Sequence, residues 1–393
     1  ELWLRPSNAD VVVWIVTWGS LDRDIELLQL PSTIKSGLVF DTVIGDEVHF
    51  RLRNRKNKAV KYFKWLTRPQ TCKRCHFLSG TMAGKGGPPD FWAILNMINP
   101  GLFSSFWRFV DTYMVTIKNH WGGMEIIEPK NIENFHRYVL DKYSRRRFRH
   151  ICAPQMPKIQ RDLLKVEATD EQMKLLISLE EDGFVWAEPQ YTPAHEEGVE
   201  KGKLIIAATS MEAVLRKRQL LTCPQILDPR LGVGAAMEDL IERLSDDSAT
   251  EEDRHTVVFS AFRQALDPFE KALRQAGFKN VWQLYGGLDP EELHLRIKLY
   301  QETKGIILCS IKYAQAFSLV PAQTCYTIGY EWDPNDNKQA EDRLIPQVGV
   351  NPINSYYYSY IGLDEDIAES VNIKNRIITL TLGSAKNVVS GDA

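Results

Sequence analysis

Between Leu38 and His49 an apolar run with β-branched residues ends in two adjacent carboxylates, Asp46 and Glu47. The pattern predicts a buried parallel strand with both acids at its C-terminal edge. Upstream, Asp10 to Trp18 predicts another buried strand, and about Ser20 to Leu30 a short helix. From Asn54 to Trp65, Val60, Phe63 and Trp65 stand against a basic face, which predicts a helix with one solvated or phosphate-facing side. His76 to Ser79 predicts a short strand, followed by Gly80-Thr81 and a loop with Gly84, Gly86, Gly87, Pro88 and Pro89. Asp90 is expected to cap a helix to about Ile98, which Pro100-Gly101 stops. Residues 102–145 read as helical, with Phe103, Phe106, Trp107 and Phe109 as core. Thr169 to Leu179 predicts a helix, 181–203 a mobile loop, and acidic Glu238 to Asp253 a solvated helix and connector.

From His255 the pattern becomes regular. Thr256 to Ser260, Val281 to Tyr285, Gly305 to Ser310 and Thr324 to Tyr330 predict strands. Asp267-Pro268-Phe269-Glu270 and Asp289-Pro290-Glu291-Glu292 each carry a helix start, with Asp at the cap, Pro in the first turn and Glu behind; Gly277 ends the first helix. Strand and helix alternating at this spacing give right-handed βαβ units and a parallel sheet. The C-terminal half is therefore expected to be doubly wound α/β, and the N-terminal part to be a piece of another such domain.

Composition adds little to this picture and charge adds more. Of 393 residues, 44% are hydrophobic and 25% charged, values of an ordinary globular protein with room for two domains. The formal net charge of −3 hides an uneven distribution, because residues 51–75 carry ten Lys or Arg and no acid. Such a cluster can meet phosphate. Six cysteines are too few for a disulfide scaffold in a chain this long, so a reducing, cytoplasmic location is expected. Neither a signal peptide nor an 18-residue apolar span is visible, so no membrane partner is expected. Cys72-Lys-Arg-Cys75-His76 has metal-like spacing, but zinc needs four ligands and no second pair lies nearby; the pair is read as structural.

The chemistry concentrates at strand ends. In open α/β sheets ligands sit beyond the carboxyl ends of the strands. An Asp there can hold a magnesium ion that bridges phosphates, and a neighbouring Glu can orient an attacking water.

Six stretches in one order then resemble the motifs of a known family. Asp46-Glu47-Val48-His49 resembles the DEAH-type motif of superfamily-two helicases, and Ser79-Gly80-Thr81 the coupling motif that follows it. Asp90 to Pro100, continued by Gly101-Leu102-Phe103, resembles a segment of Swi/Snf-type DNA translocases. Val257 to Ser260 resembles the first strand of their second lobe; Glu331-Trp332-Asp333-Pro334 and Gln339-Ala340-Glu341-Asp342-Arg343 resemble their last motif. The likeness spans about residues 8–385 and, in its compact form, is most similar to phage or prokaryotic members. It implies two RecA-like, P-loop NTPase-type lobes that couple ATP hydrolysis to movement on double-stranded DNA. Residues 1–144 would be the C-terminal part of an incomplete first lobe with a helical extension. Residues 145–235 would be an insertion and connector, and 236–393 the second lobe.

By the same resemblance Asp46 binds magnesium, Glu47 polarises water, and Gln339 and Arg343 meet the γ-phosphate of ATP across a cleft. Ser79, Gly80 and Thr81 couple nucleotide state to DNA grip. Arg51, Arg53, Arg55, Ser310 and Lys312 contact DNA, with Arg145 to Arg149 as a further basic stretch. A monomer is expected.

Departures from the family bear on activity. No Walker A loop is present; Gly80 to Gly86 is one residue short of that motif and ends in Gly, so it reads as the loop after the coupling motif. The family places its phosphate loop before the region where this chain starts, so an N-terminal truncation is expected. Leu344-Ile345-Pro346 replaces the family's second arginine, and Tyr313 to Ser318 lacks the glycines usual before the last motif. The rival reading is a catalytically degenerate nucleic-acid-binding module. An RNA helicase is disfavoured by the helix after the coupling motif and by the form of the last motif.

Overall fold

The computed structural model describes residues 12–28, 39–84, 86–120, 122–147, 149–182, 184–187, 203–206, 209–248, 255–346 and 352–382. The chain divides into a first unit, Glu1–Arg145 with Asn375–Lys386, and a second, Arg146–Lys374 with Asn387–Ala393. Much of the loop expected over 181–203, the end of the acidic connector and part of the expected Asp10 strand lie outside the described residues.

In the first unit, β1 (Phe40–Gly45) pairs in parallel with β2 (Cys72–Phe77), Val43 opposite Cys75. Val43 and Cys72 pack on Val60, Phe63 and Leu66 of the helix Lys58–Leu66. The parallel direction is as expected, the burial only in part. Among the described residues this sheet has two strands, and Ile44 on its open face is 62% exposed. Residues 12–17, expected in a strand, have no regular structure, and Ile15 is 96% exposed. An apolar run becomes a strand only where a partner strand meets its backbone groups.

Residues 102–145 are helical only at the ends. Between the helix Phe106–Tyr113 and the helical turns from Ile132 to Tyr143 runs an antiparallel hairpin, β3 (Met114–Lys118) and β4 (Met124–Pro129). Gly122 at φ +76° makes its turn. Phe103 and Phe109 are core, packed with Phe135, whereas Trp107 is exposed.

The second unit holds β5 (Ile159–Val166), the hairpin β6 (Phe184–Ala187) and β7 (Lys203–Ile206), and then β8 (Thr256–Ser260), β9 (Val281–Leu284), β10 (Ile306–Ser310), β11 (Thr324–Thr327) and β12 (Ile353–Tyr360). Six of these form one parallel sheet in the order β5-β12-β11-β8-β10-β9. Every residue of β8, β10 and β11 is buried, because helices cover both faces. Alternation sends Val257, Phe259, Ile307 and Cys309 into one core and Val258 and Leu308 into the other. The expected doubly wound α/β sheet is present. β5 and β12 lie outside the expected strands, and β5 builds part of the 145–235 segment into the sheet. Asp267 stands in the first turn of the helix Leu266–Gln275 rather than at its cap, since a 3-10 turn, Arg263–Ala265, starts it earlier. Among the described residues no helix is long and apolar enough to cross a membrane.

Candidate functional site

In the first unit, the candidate site is a turn locked to two strand ends. Gly45 closes β1, and a Cβ there would stand 2.8 Å from Phe63 Cζ and Val48 Cγ1, so the chain needs glycine at this point. The Asp46 carbonyl accepts from Trp18 Nε1 at 3.1 Å, and Asp46 Oδ1 accepts the Glu47 amide at 2.9 Å. Glu47 has φ +46°, a left-handed conformation that costs a non-glycine residue about 1–2 kcal/mol. The amides of Val48 and Leu78 bond to Leu78 O and Gly45 O at 3.1 and 2.8 Å, tying the turn to the end of β2. That bracing holds the strained Glu47 in place.

Buried His49 joins the two motifs. Its Nδ1 lies 2.9 Å from Ser79 Oγ and 3.2 Å from Glu47 Oε2. Ser79 Oγ also accepts the Thr81 amide at 3.1 Å. The ring thus stands in contact with both Glu47 and the Ser79-Gly80-Thr81 segment, hydrogen-bonded to Ser79. Asp46 is exposed, with a hard carboxylate oxygen donor available. Magnesium asks for one or two carboxylates and completes its shell with water and phosphate oxygens. Asp46 fits that demand, although no group of three or more His, Cys, Asp or Glu among the described residues could hold a metal ion. Cys72 is buried in β2, Cys75 half-buried and His76 exposed.

The basic run divides by what each cation touches. Arg53, expected on DNA, is turned inward: its guanidinium donates to the carbonyls of Thr81 and Met82 and lies 3.8 Å from Asp90. Asp90, expected to cap a helix, is buried and accepts the Gly84 amide at 2.7 Å; the helix Trp92–Ile98 starts from a 3-10 turn instead. The loop that mimics a phosphate loop is therefore held by Arg53 and Asp90, with the Gly84 amide committed to a side chain. Arg53→Ala is expected to cost the first unit about 1–3 kcal/mol through two stranded carbonyls, without changing the salt dependence of DNA binding. Urea denaturation and salt titration check this; unchanged stability with a flatter salt slope would show Arg53 to be a DNA contact.

Arg51 is half-buried. Arg55 is exposed, with its guanidinium 4.2 Å over the Phe106 ring. Lys58 and Lys61 stand exposed on the helix whose other face buries Ala59, Val60, Phe63 and Leu66. Lys73 and Arg74 flank Asp41 at 3.3 and 3.7 Å; the Lys73 hydrogen bond, then the Arg74 charge, hold its carboxyl below the usual range.

The second unit carries a candidate region of its own. Asp333 caps the helix Pro334–Glu341, accepting the Asn335 amide at 3.0 Å. Asn337 closes the turn, accepting from the Glu331 amide at 2.8 Å and donating to its carbonyl at 2.9 Å. Trp332 packs between Arg218, 4.6 Å from its ring, and Lys374, 4.8 Å away. Gln339 is buried, and the buried Nε of half-exposed Arg343 has no hydrogen bond among the described residues. Lys312 is exposed and 3.4 Å from Glu331. Ser310, expected on DNA, is largely buried and pairs with Ser260 where β10 and β8 end. The loop Tyr313 to Ser318 begins in a 3-10 helix, Ile311–Ala316, which needs no glycine.

Sequence reasoning gave no role to Glu341, Arg161 or Lys338. Glu341 is 1% exposed; it accepts a two-pronged guanidinium contact from Arg161, at 2.9 to 3.1 Å, and hydroxyl bonds from Ser355 and Tyr357 at 2.7 and 3.0 Å. The only signal for it was its place between Gln339 and Arg343.

No protein-family model matches the chain. It is 23% identical over 341 residues to the ATP-dependent DNA helicase DDM1 of Arabidopsis thaliana, covering 81% of this chain and 42% of that protein. It is 25% identical over 190 residues to the chromatin structure-remodeling complex subunit snf21 of Schizosaccharomyces pombe, covering 47% of this chain and 15% of that protein. Among solved structures, the C-terminal part of the Fun30 ATPase domain aligns with a TM-score of 0.42 and 14% identity, over 57% of this chain and 98% of that one. The chain spans less than half the length of the curated relatives it matches. These sequence matches support the superfamily-two, Swi/Snf-type resemblance carried by the motifs.

Proposed function

We propose that this chain is part of a Swi/Snf-type, ATP-dependent translocase acting on double-stranded DNA. The observation that carries the reading is the placement of His49 Nδ1 within 2.9 Å of Ser79 Oγ and 3.2 Å of Glu47 Oε2, at the C-terminal ends of two parallel strands. Asp46 would hold a magnesium ion, and Glu47 would orient the attacking water. Magnesium, when bound, neutralises charge on the phosphates. Gln339 and Arg343 stabilise charge developing on the γ-phosphate. Ser79 and Thr81, through His49, pass the state of Glu47 to the rest of the first unit. A second reading, a nucleic-acid-binding module without turnover, is favoured by Leu344-Ile345-Pro346 in place of a second arginine.

DNA is held by its backbone. Arg55, Lys58 and Lys61 present exposed charge, and the sequence shows no base-reading module. Phosphate contacts release counterions, so affinity falls with salt at a slope of roughly −0.9 per neutralised phosphate. Replacing these three by Ala is expected to weaken binding to all duplexes alike and to flatten that slope. Fluorescence anisotropy over a salt series measures this. Unchanged binding at every salt concentration would make the face merely solvated, and loss for a single sequence would mean that it reads bases.

A further inference from the structure

The helix Pro334–Glu341 carries a second charged cluster beside Gln339 and Arg343. Lys338 and Asp342 are four residues apart and share one side of the chain; Gln339 and Arg343 share the next, about 100° round. Arg149 Nη1 reaches Asp342 Oδ1 at 2.6 Å, and Arg161 is bound to Glu341. The charges of Asp342, Arg149, Arg146 and Arg161 all act on the ammonium of Lys338. Glu341 is fully buried and taken up by Arg161, Ser355 and Tyr357. Lys338 is half-buried and makes no ion pair within 4 Å among the described residues. Burial pushes its ammonium down first; the guanidiniums of Arg149, Arg146 and Arg161 push it further, and Asp342 opposes them. A positive group in that position is short of an anion.

We propose that Lys338, Arg146 and Arg149 bind a phosphate group, and that Asp342 occupies Arg149 until the phosphate displaces it. A phosphate has the charge and the acceptor oxygens to satisfy an ammonium and two guanidiniums together. Its natural source, on the function proposed above, is the DNA backbone, since the cluster stands apart from the side that carries Gln339 and Arg343. Asp342 then acts as an internal competitor that weakens binding.

The test titrates the parent chain, K338M and D342N with pyrophosphate by calorimetry, and with a fluorescein-labelled duplex by anisotropy across salt. K338M removes a half-buried charge among like charges, so it is expected to melt no lower than the parent, which keeps the comparison sound. Pyrophosphate is expected to bind the parent, several-fold more weakly to K338M and more tightly to D342N. The duplex should follow the same order, with the K338M salt slope reduced by roughly 0.9. If only pyrophosphate responds, the source is a nucleotide phosphate and the site stands. If pyrophosphate keeps this order while the parent binds no duplex, the DNA reading fails and the site survives. If K338M and D342N match the parent with both probes, or the parent binds neither, the site does not exist.

Discussion

Glu341→Ala is expected to destabilise the second unit by about 3–5 kcal/mol, the usual penalty for removing one partner of a buried ion pair. The carboxylate is the common acceptor for Arg161, Ser355 and Tyr357, and its loss leaves a guanidinium and two hydroxyls with no mutual replacement. Arg161 keeps some exposure, 27% of its side chain, so water recovers part of the loss and the lower end of that range is expected. Arg161→Met alone should also destabilise, by stranding the carboxylate. The double variant E341M/R161M should recover much of the loss, because an apolar pair needs no desolvation of charge. Urea unfolding of the three variants reads this directly. A single-variant loss below about 1 kcal/mol would mean that the network adds nothing to stability. Glu341 lies between Gln339 and Arg343, so its loss should also disorder the residues proposed to meet the γ-phosphate.

The second large effect is on catalysis. This chain by itself is expected to turn ATP over more than about a hundredfold below the roughly 10 s⁻¹ typical of enzymes. Its 393 residues contain no glycine-lysine loop able to cradle the β- and γ-phosphates. The one string that looks similar has its Gly84 amide bonded to Asp90 and its Thr81 and Met82 carbonyls bonded to Arg53. Asp46 with magnesium then binds nucleotide weakly. Any remaining turnover must pass through Glu47, so Glu47→Gln should lower it by a further 10²–10⁴-fold or so, the range for a general base. Steady-state phosphate release with and without duplex DNA measures both. Robust DNA-stimulated turnover by this chain would show that its own residues suffice to cradle the phosphates, and unchanged turnover in E47Q would remove Glu47 from the mechanism.

What the sequence determined alone was local and short in range. The runs of β8 and β10 are strands at, or within one residue of, the expected bounds, because two buried faces demand continuous apolar residues. Asp289-Pro290-Glu291-Glu292 starts a helix as written: Asp289 accepts the Glu291 amide at 2.9 Å and Pro290 opens the helix. The acidic, coupling and last motifs, each one contiguous segment, could be proposed from the chain alone. Tertiary structure alone decided which charges face water. Arg53 and Arg55 look alike in the chain, yet one bonds loop carbonyls and the other lies exposed over Phe106. The Arg161–Glu341 pair joins residues 180 apart, and no local pattern encodes such a partnership. β5, polar and lying at the sheet edge, became a strand only because β12 offered it a complete ladder from Ile159 to Val166. Residues 12–17, more apolar than β5, found no such ladder among the described residues and stayed irregular. Apolar sequence sets how much a segment gains from burial; whether a partner stands there to receive it depends on the packing of the whole unit.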